Sequence, residues 1–281
     1  MHELACLPQV VSKEQLPAAM GRTQATIGIT NLLGPPLGGI LFALRSILPF
    51  LVDAVSYGVS ACSLILIRTP FQEKREVMVR NLCAEIGEGL RWLWNQPLLR
   101  TMALLTSGNI FFGAGQPLIV IVVAQQHHAS AATIGLIFGL GGVGGILGSL
   151  IVGWVQRRFS FAQVIVSVLW LDVAFWLPLA ALPSPLVLGL LIALLFFIGP
   201  FYNVTYISRR LAMTPDALQS RVNSVARLVA LGFSPLGLAL AGFLLQYSGP
   251  QVTILLSVGG QALLALVATV NPYLRNARPL A

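Results

Sequence analysis

Gly34-Pro35-Pro36-Leu37-Gly38-Gly39 lies inside an apolar run from Thr23 to Leu44 that is long enough to cross a bilayer. In a water-soluble helix two prolines end the element, because each removes a backbone donor and clashes with the turn before it. Here the apolar run continues past them. Within a membrane, neighbouring helices and local readjustment satisfy the freed carbonyls, so a Gly/Pro break in a span marks a bend or a point of close packing. Two readings stand: a moving part, or a kinked structural helix packed through small residues.

The composition leaves little choice of solvent. Of 281 residues, 56% are hydrophobic and 9% charged, where a soluble domain carries about 25% charged residues. The mean hydropathy is +0.84. A net charge of +8 would suit nucleic acid only if basic residues clustered on one solvated face, and they are instead dealt out between apolar runs. Cys6, Cys62 and Cys83 are an odd number without paired spacing and read as unpaired thiols. Residues His2 to Arg22 show neither a basic n-region nor an apolar h-region, so internal spans are expected to direct insertion.

Eight runs reach the ~20 residues that a helix needs to cross the hydrocarbon core. After the first come Leu48 to Ile67, Met102 to Val123, Ile134 to Val155, Val164 to Leu182, Leu186 to Tyr206, Val225 to Tyr247 and Val252 to Val270. Alternate loops differ in charge: 16 of the 17 Lys and Arg fall on one side, and Arg45 stands alone on the other. The positive-inside rule then predicts an all-α, multi-pass protein of the cell membrane with both termini in the cytoplasm.

The longest loop, Thr69 to Leu99, ends in an amphipathic segment that places Leu82, Ile86, Leu90 and Leu93 on one helical face. It reads as a helix on the cytoplasmic surface, with Trp92 and Trp94 suited to the interface. A weak repeat is also present: Glu14-Gln-Leu16, followed by a span with Pro35 and Gly38, is echoed by Asp216-Ala-Leu218 and a span with Pro235 and Gly237. Transporters built from repeated bundles carry such internal similarity.

The fourth run contains Gly139-Leu-Gly141-Gly-Val-Gly144, a literal dinucleotide-binding pattern, but it sits mid-span with no preceding strand. Its small-xxx-small pairs, Gly135/Gly139, Gly141/Gly145 and Gly144/Gly148, point to tight helix packing instead. Neither Lys13 nor Lys74 ends a Gly-rich turn, so no nucleotide-hydrolysing loop is expected. His127-His128 has no Cys or carboxylate nearby, and no metal site is expected. No nucleophile or carboxylate pair commends itself for catalysis. Neither an enzyme nor a cofactor is expected.

Polar residues within spans cost free energy unless paired or wetted. Thr106, Asn109, Gly113 and Gln116 recur along one face of the third span, and Gly199, Asn203 and Tyr206 along the sixth. Such stripes suit a wet cavity or hydrogen bonds between helices of a static bundle. Asp53 and Asp172 are candidate proton carriers or, equally, buried structural acids.

Gly21, Thr30, Gly34-Pro35 and Gly38-Gly39 resemble the antiporter signature on the fifth helix of major facilitator superfamily exporters, which has glycine where Thr30 stands. Gly153-Trp-Val-Gln-Arg157-Arg158 is similar to the basic loop motif between that superfamily's eighth and ninth helices, with Gln156 in place of its acid. Leu7-Pro-Gln-Val-Val, Phe50-Leu-Val-Asp53-Ala-Val-Ser-Tyr57 and Leu90-Arg-Trp-Leu-Trp-Asn-Gln-Pro97 resemble the enterobactin and macrolide exporter branch. The resemblance implies that the eight spans are helices five to twelve of a twelve-helix fold. Residues 1–68 would be the remainder of an N-terminal six-helix bundle, 69–99 the cytoplasmic central loop and 100–281 the C-terminal bundle. Four helices would then be missing before the first span, supplied upstream or by another chain.

The implied function is secondary active efflux of a small amphipathic molecule, of drug or siderophore type, in exchange for protons by alternating access. Gly21, Gly34, Pro35, Gly38 and Gly39 would form the gate, and Gly153, Arg157 and Arg158 an inner gate. Thr106, Asn109, Gln116, Asn203 and Tyr206 would line the cavity, with Asp53 and Asp172 as proton carriers. The partners would be the bilayer, the substrate and protons, and no nucleic acid. From a different class, the alternative is a truncated, non-transporting membrane protein or a helical interaction partner.

Overall fold

Prolines open many of the helices. Pro97, Pro117, Pro185, Pro235 and Pro272 all stand in a first turn, where the missing N–H would have had no intrahelical acceptor and the fixed φ is already helical. In the computed structural model, which describes residues 30, 33–65, 82–182, 184–215 and 218–275, the chain runs as α1 (Leu33–Leu44), α2 (Leu48–Ile65) and α3 (Leu82–Asn95). Next come α4 (Pro97–Gly113), α5 (Gln116–Gln126), α6 (Ala131–Arg158) and α7 (Phe161–Trp176), which tightens into a 3-10 turn over Leu177–Ala181. The last are α8 (Pro185–Met213), α9 (Gln219–Gly232), α10 (Ser234–Val270) and α11 (Pro272–Arg275). No strand occurs among the described residues. The protein is an all-α membrane helix bundle.

Among the described residues, five segments are long and apolar enough to cross a membrane: Pro97–Gln126, Ala131–Arg158, Phe161–Ala181, Pro185–Met213 and Gln219–Val270. The last has 52 residues, and at ~1.5 Å per residue a straight helix of that length would overrun a ~30 Å hydrocarbon core more than twofold. It turns back at Gly249, whose φ of 76° and ψ of 174° lie where a side chain is rarely tolerated. Gly237 packs on the Phe111 backbone and Gly260 on the Phe112 ring. Those two glycines are almost equally far before and after Gly249, so α10 is a hairpin whose first half runs parallel to α4 and whose second half runs antiparallel. Leu33–Leu44 and Leu48–Ser63 are shorter apolar helices.

Serines begin two of the long helices. Ser130 accepts a hydrogen bond from Thr133 N, and Ser160 and Gln163 form a reciprocal capping box. Arg157 and Arg158 occupy the last turn of α6, where a cation complements the helix dipole.

In lipid there is no hydrophobic drive between apolar helices, so association depends on close contact and interhelical hydrogen bonds. The glycines provide the contact. Gly144 lies on Ala193 O and Gly148 on Phe197 O, with no room for a β-carbon at either. This seats α6 against α8 in parallel. Around that pair the core forms two apolar clusters. One holds Met102, Leu105, Ile165, Leu169, Ile198 and Tyr202, and the other Ile119, Val123, Ile137, Trp176, Leu188 and Ile192.

The loop helix α3 departs from the expected face. Leu93 is buried with Ala103, Val222 and Ala226, but Ile86 and Leu90 are 44% and 39% exposed. The reason is Gly89. A β-carbon there would lie 3.1 Å from the Arg221 backbone, so α3 approaches α9 along the Gly89/Leu93 line and leaves the Ile86/Leu90 flank outside. A Glu88–Arg221 ion pair borders the contact.

Candidate functional site

The polar residues of α4 meet partners from two other helices. Thr106 Oγ1 and Tyr202 OH of α8 are hydrogen-bonded at 2.9 Å. One turn further along α4, the Asn109 side chain lies beside the carboxyl of Asp172 on α7. Asn109 and Asp172 were expected in different roles, cavity wall and proton carrier, and the fold makes them one unit. An Asn amide can donate to a carboxylate or accept from a carboxylic acid, so the pair survives a change of protonation state.

A second polar line descends α8 from the same point. The rings of Tyr202 and Tyr206 are 6.4 Å apart. Below them Arg210, itself buried, donates to Tyr206 OH at 3.3 Å and to Asn223 Oδ1 of α9 at 2.6 Å. Its guanidinium also lies 4.9 Å from the Tyr206 ring centre, a cation–π contact that strengthens where water is excluded. Gln156 Nε2 donates to Thr205 Oγ1 across α6 and α8 at 3.2 Å.

The remaining expected cavity residues scatter. Thr106 and Tyr206 are turned into the bundle, Asn203 is exposed, and Gln116 is half-buried just past the α4–α5 break. Of the two stripes, then, the buried members are hydrogen-bonded, Thr106 across to α8 and Tyr206 to Arg210 within α8, which is how an apolar medium makes polar side chains tolerable. Asp53 is exposed on α2.

The glycine-rich gate divides as well. Gly39 and Gly135 of α6 meet backbone to backbone: a β-carbon on Gly39 would lie 2.6 Å from Ala131 O, and one on Gly135 would lie 2.6 Å from Pro35 O. A β-carbon on Gly34 or Gly38 would meet no atom of a neighbouring element within 4 Å among the described residues. Pro35 and Pro36 lie within α1, and Gly21 lies outside the described residues. At the far end of α6, Gly153 is open, and Arg157 and Arg158 are exposed. The opposite loops are tied by a bond from the His127 ring to Leu182 O, 2.9 Å.

Five residues escaped the sequence reading: Tyr202, Arg210, Asn223, Trp176 and Gln261. For Gln261 a signal was available, since it is a lone amide in a span without a charge.

A bundle of apolar helices joined by small residues, with a single carboxyl in its five long apolar segments, defines a polytopic membrane protein of the transporter class. The chain belongs to the Major Facilitator Superfamily, whose family model matches residues 4–232. It is 29% identical over 279 residues to the multidrug efflux pump Tap of Mycolicibacterium fortuitum, covering 93% of this chain and 67% of that protein. With the enterobactin exporter EntS of Citrobacter koseri it shares 24% identity over 279 residues, 94% of this chain and 63% of that protein. A bacterial homologue of the iron transporter ferroportin in its inward-facing state has a similar fold, with a TM-score of 0.69 at 18% identity over 94% of this chain and 65% of that one. The chain thus spans about two thirds of the length of these proteins. It is a multi-pass protein of the cell membrane.

Proposed function

We propose that this chain acts in a secondary exporter that moves a small amphipathic molecule, of drug or siderophore type, out of the cell in exchange for protons by alternating access. The observation that carries the reading is Asp172, the one acidic residue in the five long apolar segments, with the Asn109 side chain of a neighbouring helix beside it. An acid at membrane depth is expensive and is kept where it carries charge or protons. Efflux is supported by the likeness to a multidrug pump and an enterobactin exporter.

In this reading Asp172 takes up a proton from outside and gives it up inside, and Asn109 steadies both forms. Gly39 and Gly135 form the contact at which α1 and α6 close together at the outer end of the bundle, while Arg157 and Arg158 mark the cytoplasmic side. Alternation would then make and break the Gly39–Gly135 approach, because packed interfaces switch between discrete arrangements. The cytoplasmic placement of both termini follows from the 16-to-1 distribution of Lys and Arg.

The test uses proteoliposomes containing the chain and a cationic amphipathic dye such as ethidium. An imposed pH gradient should drive dye movement, and Asp172→Asn should abolish the driven movement while dye binding persists. Driven movement that survives Asp172→Asn would remove Asp172 from the proton's route.

A further inference from the structure

Two buried polar atoms on α7 and α10 have no hydrogen-bond partner among the described residues: Nε1 of Trp176 and Oε1 of Gln261. Both residues are only 2% exposed. One is a donor without an acceptor and the other an acceptor without a donor. Leaving such a group unpaired in an apolar interior forfeits its hydration with nothing in return, so the pair signals a third body.

Helix register brings the two toward the carboxyl. Along α4 and the second half of α10, Gly108 meets Leu264 and Phe112 meets Gly260; Asn109 is therefore within one turn of the level of Gln261. Along α7 and α10, Trp170 Nε1 donates to Thr269 Oγ1, while Trp176 shares an apolar cluster with Ile254 and Val258. In this antiparallel register Asp172 and Trp176, four apart and on one face of α7, bracket the level of Gln261. At ~100° per residue Gln261 lies on the face of α10 between the side that meets α4 and the side that meets α7. The space enclosed by α4, α7 and α10 is thus bordered by Asp172, Asn109, Gln261 and Trp176.

We propose that this space is a binding site for one water molecule, and that Gln261 and Trp176 are positioning residues which hold that water against the Asp172 carboxyl. The water accepts the Trp176 N–H on one lone pair and directs its hydrogens to Gln261 Oε1 and Asp172. A proton arriving from the outer side bonds to the second lone pair. The hydrogen facing Asp172 then passes to the carboxylate, its bond to the water oxygen breaking as the carboxyl O–H forms, and a neutral water remains. This rests on the reading of Asp172 as the proton carrier. The other ionisable groups of the helices packed around the region are Tyr202 and Tyr206 of α8, with Arg210 bonded to Tyr206 below them and Arg209 over the Phe161 ring at the start of α7; α10 carries no charge, α4 only Arg100 in its first turn, and the α6 and α11 arginines, Arg157, Arg158 and Arg275, stand at helix ends.

Infrared difference spectra of the purified chain between high and low pH test this without transport. The C=O band of protonated Asp172 is identified by its loss in Asp172→Asn. In Trp176→Phe and in Gln261→Leu that band should move to higher wavenumber, the mark of a carboxyl that has lost a hydrogen bond. Trp170→Phe, which breaks a bond between the same two helices away from the site, should leave it in place. A band that stays put in both site variants overturns the proposal, as does an equal shift in Trp170→Phe or the lack of any Asp172 band. If the band stays put while Asp172→Asn still abolishes driven dye movement, the water site fails and the proton carrier stands.

Discussion

Gly38 and Gly39 are neighbours in sequence and face different surroundings, one open space and the other the backbone of α6. Gly39→Val should therefore abolish efflux, because its β-carbon has no place while Ala131 and Gly135 are near, whereas Gly38→Val should transport close to the parent. Dye efflux normalised to membrane abundance measures both. A second pair of residues is open to a thermodynamic test. Tyr202→Phe and Thr106→Val each remove one hydroxyl from the 2.9 Å bond, and unfolding of the single and double variants should give a coupling of about 0.5–1.5 kcal/mol. At this scale the sequence announces which residues are unusual but not whom they meet. Thr106 and Asn109 stand out as polar in an apolar run, yet their partners, Tyr202 and Asp172, lie far along the chain and are chosen by packing. The choice between Gly38 and Gly39 has the same origin, since only the roll of α1 against α6 distinguishes them.

Among the elements, α6 and α8 are joined most closely, and their contact was readable from the small-residue spacing of Gly144 and Gly148 before any partner was known. The partner surface, Ala193 and Phe197, has no such spacing and could not be read. For α3 the pattern of apolar residues suggested one face and the fold used another, because a single glycine outranked two large side chains in deciding how closely the helices approach. The consequence for stability is specific. Leu93→Ala should free α3 from α9, costing roughly 2–5 kcal/mol of docking as a buried leucine does. Glu88→Gln should change it by about 1 kcal/mol or less, since the ion pair is exposed. Protease cleavage rates within α3 in detergent-solubilised protein would separate the two variants.

At the scale of the whole molecule the expected spans at Met102 to Val123, Ile134 to Val155, Val164 to Leu182 and Leu186 to Tyr206 all fall on long apolar helices, and the last two expected spans are the segment that folds at Gly249. Length and hydropathy suffice for this because the bilayer allows so few solutions. The direction of crossing rests on charge alone and is open to labelling. With Cys6, Cys62 and Cys83 replaced, a cysteine at Gln126 should react with an impermeant reagent added to intact cells, and one at Asn95 should not; the reverse would invert the topology. Gly249 has a bearing on how such a topology is reached during synthesis. From Ser234 to Val270 the chain carries no charged side chain, so neither limb of the α10 hairpin holds a signal for its own direction. Arg221 and Arg227 before it and Arg275 after it are retained on one side, and the two limbs between them enter the bilayer together, as a loop whose tip is fixed by one glycine.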